Sequence, residues 1–418
     1  MTELESKKGH ALDENDIDDP ERHTNRTIAW LQVLAGHLTI FNSWGYMTSF
    51  GMFQPYYVER FRETPDNVAW IGTIGFFAVF FMGIFAGRLA DAGYTRLLMG
   101  IGFSMQLIGV FTTSVCKELW QAILAEGICQ GFGFGLTYTP MISVLASYFR
   151  EKRLMAICLQ TCGASTGGLV FPAIAKTLLP SIGFPWTVRV MGFVILFNVI
   201  VIMLLLRPYL PPRKSGPMFE LAALKEPRFL FFTCGMFLTM WGNWVAFFYL
   251  RAYAIKWLDA SDDDSFSLLL VLNGIGIIGR IVPSYLAERW FGALNTSSFV
   301  IMVAGVLMGC WISVKTMSSM WALVVFYGLF SAATQSMFPA SMTTLTADPS
   351  KQGVRSGMGF SIVSFATLSG CPIAGQLIQT HNGRYLSAQE FACASMLCGF
   401  VFVFISSFMR CSTAKGEP

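Results

Sequence analysis

Polar and charged residues fall in clusters along this chain, and the intervals between them are apolar. The first set of apolar runs lies at 28–50, 69–89, 97–115, 120–141, 155–176 and 187–206, and the second at 229–249, 266–287, 297–314, 320–341, 357–379 and 389–409. A helix needs roughly 20 mostly apolar residues to cross about 30 Å of hydrocarbon. The pattern therefore predicts an all-α membrane protein with 12 transmembrane helices in two pseudo-symmetric six-helix bundles. Residues 207–228 separate the sets and hold Pro208, Pro211, Pro212, Pro217 and Pro227 among basic residues, the composition of a hinge. The expected organisation is a cytoplasmic tail 1–27, a bundle 28–206, a linker 207–228, a second bundle 229–409 and a tail 410–418. The first tail is polar and acidic and lacks a basic n-region, so no signal peptide is expected and the first apolar run serves as its own membrane-entry signal.

The halves also repeat one another. Trp44-Gly45 recurs as Trp241-Gly242, Gly87-Arg88 as Gly279-Arg280, Pro140 as Pro339, Arg153 as Arg355, and Pro172 as Pro372, all in order and at nearly constant offset. A parallel duplication of six helices places a solute site near the bilayer midplane, between halves that rock to expose it on alternate sides.

Composition agrees with this picture. Only 13% of the 418 residues are charged and mean hydropathy is +0.54, against about 25% charged in soluble domains. Lys and Arg divide 20 to 9 between alternate sides of the proposed topology, which puts both termini in the cytoplasm by the positive-inside rule. The net charge of +4 is scattered with no basic stripe, so nucleic acid is not an expected partner. Ten cysteines without a Cys-x-x-Cys pair read as small apolar residues, not disulfides or metal ligands. The sequons at Asn25 and Asn295 lie on the inner side of this topology and are expected to stay unglycosylated.

The loop Gly87-Arg88-Leu89-Ala90-Asp91-Ala92-Gly93-Tyr94-Thr95-Arg96 gathers one carboxylate and two guanidinium groups at a helix end, between glycines that permit close approach. It resembles the loop signature of the major facilitator superfamily, G-x-L-A-D-x-x-G-x-(K/R), with one residue fewer between Asp91 and Gly93. The runs Phe41-Asn42-Ser43-Trp44-Gly45-Tyr46, Gly127 to Gly135, Thr166 to Pro172 and Leu210 to Pro217 are similar to the fungal branch of the monocarboxylate porter family within that superfamily. The resemblance implies transport of small acids or related solutes, and in fungi also vitamin carriage and export beside secondary-metabolite pathways.

This chain departs from that family where ions bind. The family's opening signature keeps only Ala29 and Trp30 of Asn25 to Trp30. The helix-eight Asp that precedes the family's Arg by four residues is Gly276 here, while the Arg is Arg280. The helix-one Lys aligns with Thr48. Two of three ionisable groups are absent, which turns the expectation from proton-coupled lactate uptake toward export of a bulkier or less charged solute.

Intramembrane polar groups normally face a cavity or a partner, so they supply the candidates. Arg280 is expected to contact an anionic or polar substrate group, with Asn273 on a similar face; the alternative is a structural pair. Asn42 and Trp44 are expected to face Asn243 and Trp244 across the halves, with Tyr138, Gln160 and Gln335 as further substrate contacts; helix-to-helix hydrogen bonding is the alternative for all of them. Arg88, Asp91 and Arg96 are gating candidates, together with Glu126, Gly167, Gly168, Pro172 and Pro372. The Gly163 to Gly168 run reads first as close helix packing, and His37 as a hydrogen-bonded neighbour.

No catalytic constellation competes with transport. Four His lack an H-E-x-x-H arrangement, there is no G-x-S-x-G elbow, and no Gly-rich loop ends in Gly-Lys-Ser/Thr. The expected protein is a secondary transporter of a small organic anion or amphipathic metabolite. It is expected to be multi-pass in the plasma membrane and monomeric, without cofactor, metal or obligate protein partner beyond the lipid bilayer. An uptake carrier or a non-transporting sensor on the same fold are the alternatives.

Overall fold

The computed structural model describes residues 26–149, 152–208, 220–346 and 351–409. Most of the first tail, the linker from 209 to 219 and the second tail lie outside the described residues.

With no water to satisfy a peptide group in hydrocarbon, the apolar runs close their hydrogen bonds locally as helices. Among the described residues, eight continuous helical stretches are long and apolar enough to cross a bilayer. Two of them cannot be single spans: Asn67–Thr113 has 47 residues and Arg153–Leu205 has 53, roughly 70 to 80 Å of helix at 1.5 Å per residue. Each reverses at a glycine that leaves helical geometry, Gly93 at φ 90° and Gly183 at φ 76°, a region open to glycine because it lacks a Cβ. Two further rods are interrupted by π turns, so the described residues contain 12 spans, as the apolar runs predict.

In chain order α1 spans 26–61 with a π turn at Phe41–Gly45, α2 spans 65–94 and α3 is Thr95–Thr113. α4 spans 119–148 with a π segment at Ile123–Gln130, α5 runs from 153 to 182 and α6 from 184 to 205. The second half is α7 Pro227–Leu258, α8 Asp262–Leu286, α9 Ala293–Cys310, α10 Met317–Thr344, α11 Gln352–Thr380 and α12 Leu386–Phe408. α1 and α7 run about three and two and a half turns past the apolar runs 28–50 and 229–249, because their last turns carry Glu59, Arg60 and Lys256 and no longer look apolar. We call the side where α1 begins and α12 ends the terminal face, and the other the far face.

The outer surface is apolar where lipid must cover it: Leu204 is 77% exposed, Phe408 73% and Phe197 67%. Against a lipid background hydrophobic burial gives little drive for helix association, so close backbone packing carries it. The halves meet along α2–α11 and α5–α8. A Cβ added to Gly87 would lie 2.1 Å from the Gly353 carbonyl oxygen, and one on Gly357 would lie 2.1 Å from that of Gly83. Just beyond these contacts α2 breaks at Met82, and Ser361 on α11 repairs the break. Its hydroxyl donates to the Phe81 carbonyl at 2.8 Å and accepts from the Ile84 amide at 3.1 Å.

One pairing differs from the repeat read in the sequence. Trp44 stacks on Trp244, while Trp241, one turn earlier, donates its indole N–H to Ser369 on α11 at 3.0 Å and packs on Phe391. The dipeptide match is therefore out of register by one helical turn. The Gly87-Arg88 and Gly279-Arg280 match is likewise not a spatial equivalence, since Gly87 meets the other half and Gly279 packs on Leu329 of its own.

Gly353→Val is expected to force α2 and α11 apart at a cost of about 1–3 kcal/mol. It should be read as a lowered melting temperature in detergent together with increased modification of terminal-face cysteine probes. A variant as stable and as closed as the parent would contradict the packing role.

Candidate substrate site and gates

A small enclosed space lies between the halves, lined by α1 (Ile40, Trp44), α2 (Phe80), α4 (Tyr138), α5 (Thr161, Ala164), α7 (Met240, Trp244), α8 (Arg280) and α10 (Gln335, Phe338). Its volume is about 30 Å³, room for a few water molecules at most. An organic solute enters only if the halves separate.

Aromatic rings close the space at both ends. On the far-face side the Trp44 and Trp244 rings stack at 5.3 Å and 6°, and Phe76 packs on both, at 5.3 and 5.0 Å. The π turn at Phe41–Gly45 includes Trp44, and π turns inside α-helices frequently mark functional positions. On the terminal side Phe80, Phe338 and Phe360 pack together at 5.1 to 6.0 Å.

Arg280 is the one charged group in the wall. It is 5% exposed. One terminal nitrogen donates to the Ser165 hydroxyl at 2.5 Å and to the Gly276 carbonyl at 3.3 Å, and the other to Gln335 Oε1 at 3.1 Å. All of these acceptors are neutral, and among the described residues no carboxylate forms an ion pair with it. Its Nε and the Trp244 indole N–H are buried donors without a partner. A Cβ at position 276 would lie 2.8 Å from both Arg280 Nη1 and Ser165 Oγ, so a side chain there requires these two side-chain ends to shift.

The other candidates lie elsewhere. Asn42 accepts from Asn198 Nδ2 at 2.8 Å inside the first half, and Asn243 accepts from Ser331 at 2.8 Å inside the second; neither faces the other, so only the tryptophans meet across the halves. Asn273 donates to the Leu269 carbonyl and lies against Gly168, where a Cβ would sit 2.7 Å from its Oδ1. Gln160 is fully buried beside Gly36 with both amide atoms unpartnered. Gly167 admits Gly45 and the Phe41 carbonyl, so the small-residue run packs α5 on α1 and α8. His37 bridges the Leu159 carbonyl and the Thr166 hydroxyl. Thr48 donates locally to the Gly45 carbonyl at 2.6 Å. Pro172 and Pro372 lie within α5 and α11, the first buried and the second partly so.

Charge appears again at the terminal face, where it joins the halves. The two Asp91 oxygens accept the Gly353 and Val354 amides at 3.0 and 2.9 Å, capping α11 from the other half. Glu288 does the reciprocal thing, accepting the Met155 amide of α5 at 2.7 Å. Burial pushes its carboxyl above the ordinary value, opposed by the Met155 and Leu154 amides. Arg153 adds a bond to the Thr343 carbonyl at 3.2 Å. Arg96 serves its own half by donating to the Leu206 carbonyl at the end of α6; Arg88 lies on the buried terminal-side stretch of α2, three residues before Asp91. Glu288 was missed by the sequence reading, although Leu286-Ala287-Glu288 repeats Leu89-Ala90-Asp91. At the far face, among the described residues, Lys176–Asp263 alone joins α5 to α8 by an ion pair, and it is exposed, so it contributes little.

The match to known proteins follows this geometry. Residues 36–371 fit the model of the Major Facilitator Superfamily. The chain belongs to that superfamily. An MFS-type transporter of Gibberella zeae is 41% identical over 90% of this chain and 85% of its own length. The aspyridones efflux protein of Emericella nidulans is 32% identical over 90% of this chain and 77% of its own. Among solved structures, the outward-facing bacterial homologue of the iron transporter ferroportin superposes with a TM-score of 0.70 at 15% identity, covering 91% of this chain and 99% of that one. The major facilitator chain is accordingly a multi-pass integral membrane transporter of small molecules, not an enzyme.

Asp91→Asn removes the charge from this cap, worth about 0.3–1 kcal/mol. Asp91→Asn and Glu288→Gln are each expected to increase terminal-face modification, and the double variant to exceed either. Unchanged accessibility in the double variant would show that these carboxylates do not hold the face closed.

Proposed function

We propose that this major facilitator protein exports a small organic anion or amphipathic metabolite by alternating access, and that Arg280 contacts its acidic or polar group. The observation that carries the reading is a buried guanidinium without a carboxylate partner in an aromatic space between the halves. An uncompensated buried charge is costly, and a bound anion relieves that cost. Trp44, Trp244 and Tyr138 offer ring faces to an apolar body, and Gln335 orients the guanidinium. The relative named for aspyridones efflux supports export and a secondary metabolite as the class of solute.

In this proposal the moving bodies are residues 28–206 and 229–409, joined by the linker 207–228. Asp91 and Glu288 hold the terminal face closed, and Gly167 and Gly168 let α5 slide on α1 and α8. The terminal face is cytoplasmic, from the Lys and Arg asymmetry, and the protein works as a monomer in the plasma membrane. We place it in the monocarboxylate porter branch on the sequence runs described above. Uptake of a monocarboxylate or vitamin is the second reading, and Gly276 speaks against the family's own Asp-and-Arg arrangement for it.

The test is transport into inverted vesicles of a panel of aromatic acids and natural products at two imposed pH gradients. For the best substrate, Arg280→Ala is expected to reduce transport about 10- to 100-fold, the loss of a hydrogen bond to a charged group worth roughly 1.5–3 kcal/mol, and Arg280→Lys to retain part of it. Unimpaired transport by Arg280→Ala would overturn the assignment.

A further inference from the structure

Glu126 is a buried carboxylate that the solute site does not use. It lies in the π segment Ile123–Gln130, in the far-face half of α4, and is 9% exposed. Its Oε2 accepts the Tyr57 hydroxyl at 2.5 Å. Among the described residues no Lys, Arg or His pairs with it. The groups around it are weak acids or neutral: Tyr46 and Tyr57 from α1, Cys116 after the end of α3 and Gln130 on its own helix. From α2 the Ile71 carbonyl and the Ile74 side chain lie against Gly127. The Tyr46 hydroxyl and Gln130 Oε1 are buried without hydrogen-bond partners. An ionised carboxylate in such surroundings, with one hydrogen bond and no cation, is strongly disfavoured; a protonated one is not.

The cluster also sits where it can act on the far-face gate. Tyr57 belongs to the outer arm of α1, Phe50–Phe61, beyond the break at 48–49, and Trp44 lies just before that break. The arm rests on α6 through Phe53, Tyr56 and Tyr57 against Phe184, and the Tyr57–Glu126 bond ties it to α4. The arm of the helix that carries half of the tryptophan lid is therefore held by aromatic packing on α6 and by a bond to this one buried acid.

We infer that Glu126 is a proton-binding site that couples protons to the far-face gate: with its proton the acid stays buried and the gate closes, and without it the acid draws water in and the outer arm of α1 moves away. The site takes one proton from the far-face solution as the gate closes and returns it when the acid is next exposed and ionised; no other bond changes. On the export reading above, a proton taken up at the far face after solute release favours return to the closed state; it leaves by the same face when the gate reopens, so the acid gates the cycle without carrying a proton across. The inference rests on alternating access, not on the identity of the solute.

The test places spin labels on exposed residues at the far-face ends of α1 and α7, Glu59→Cys and Lys256→Cys, in a protein whose native cysteines are replaced. Distances are measured in nanodiscs between pH 5.5 and 8.5 without solute. The expected result is a short-distance population that is dominant at low pH and minor at high pH. Glu126→Gln, which keeps an acceptor for Tyr57, should hold the short distance at every pH. Tyr57→Phe keeps the acid and loses its donor, so it should keep the transition and raise its midpoint by about one unit, which preserves the test if Glu126→Gln fails to fold. A parent protein whose distances ignore pH, or a Glu126→Gln protein that retains the parent's transition, would overturn the inference. Because no solute is present, that failure is separate from a failed Arg280 result.

Discussion

Contact between the two halves depends on backbones that touch where side chains are missing. Lipid surrounds the bundle with groups as apolar as its own leucines, so association has to come from close packing and directed hydrogen bonds. Gly83 and Gly87 against Gly357 and Gly353, and Gly168 against Asn273, supply the packing. Ser361, Asp91 and Glu288 supply the bonds, each spending a side-chain acceptor or donor on a backbone group of the opposite half. Such contacts are short-ranged and few, and a rocking motion breaks them together. The same economy that holds the terminal face closed makes it able to open.

Charge inside the bundle is sorted by what it can find. Glu220 and Glu226, at the start of α7, meet Lys351 and Arg355; burial pushes the Glu220 carboxyl up, but the two cations outweigh it and hold it below the ordinary value. Its contribution to stability is thus present above the unfolded carboxyl's titration and disappears as pH falls through the lowered folded value. Arg280 and Glu126 have no such partners among the described residues. They sit in different places, one at the closed space between the halves and the other in the far-face half of the first bundle. An unpaired cation and an unpaired acid, held apart by the fold, are the two groups on which the proposed solute and proton roles rest.

The repeats illustrate where reading along the chain succeeds and where it slips. Trp44 and Trp244 meet as expected, yet the dipeptide that advertised the repeat, Trp241-Gly242, is one turn away and packs on α11 and α12. Asn42 and Asn243 share a helical level with the tryptophans but turn inward to Asn198 and Ser331. A helix presents a new face every residue, so a match of residue type fixes height in the bundle more securely than direction. Glu288 shows the opposite error, since its Leu-Ala-acid triplet was visible all along and acquires meaning only beside the α5 amides.

The sequence by itself determined that the chain is helical, how many times it crosses the bilayer and that it does so in two halves. These follow from the cost of bare peptide groups and charges in hydrocarbon, which every residue meets locally. It also singled out Arg280, because an arginine in an apolar run has to be explained. Only the tertiary structure decided which polar residues see the solute space, because that depends on rotation of each helix about its axis and on whether a neighbouring helix offers a hydrogen bond first. It decided as well that Gly276 faces Ser165 and Ala332 of neighbouring helices beside the Arg280 guanidinium, a juxtaposition of α5, α8 and α10 that no single segment contains.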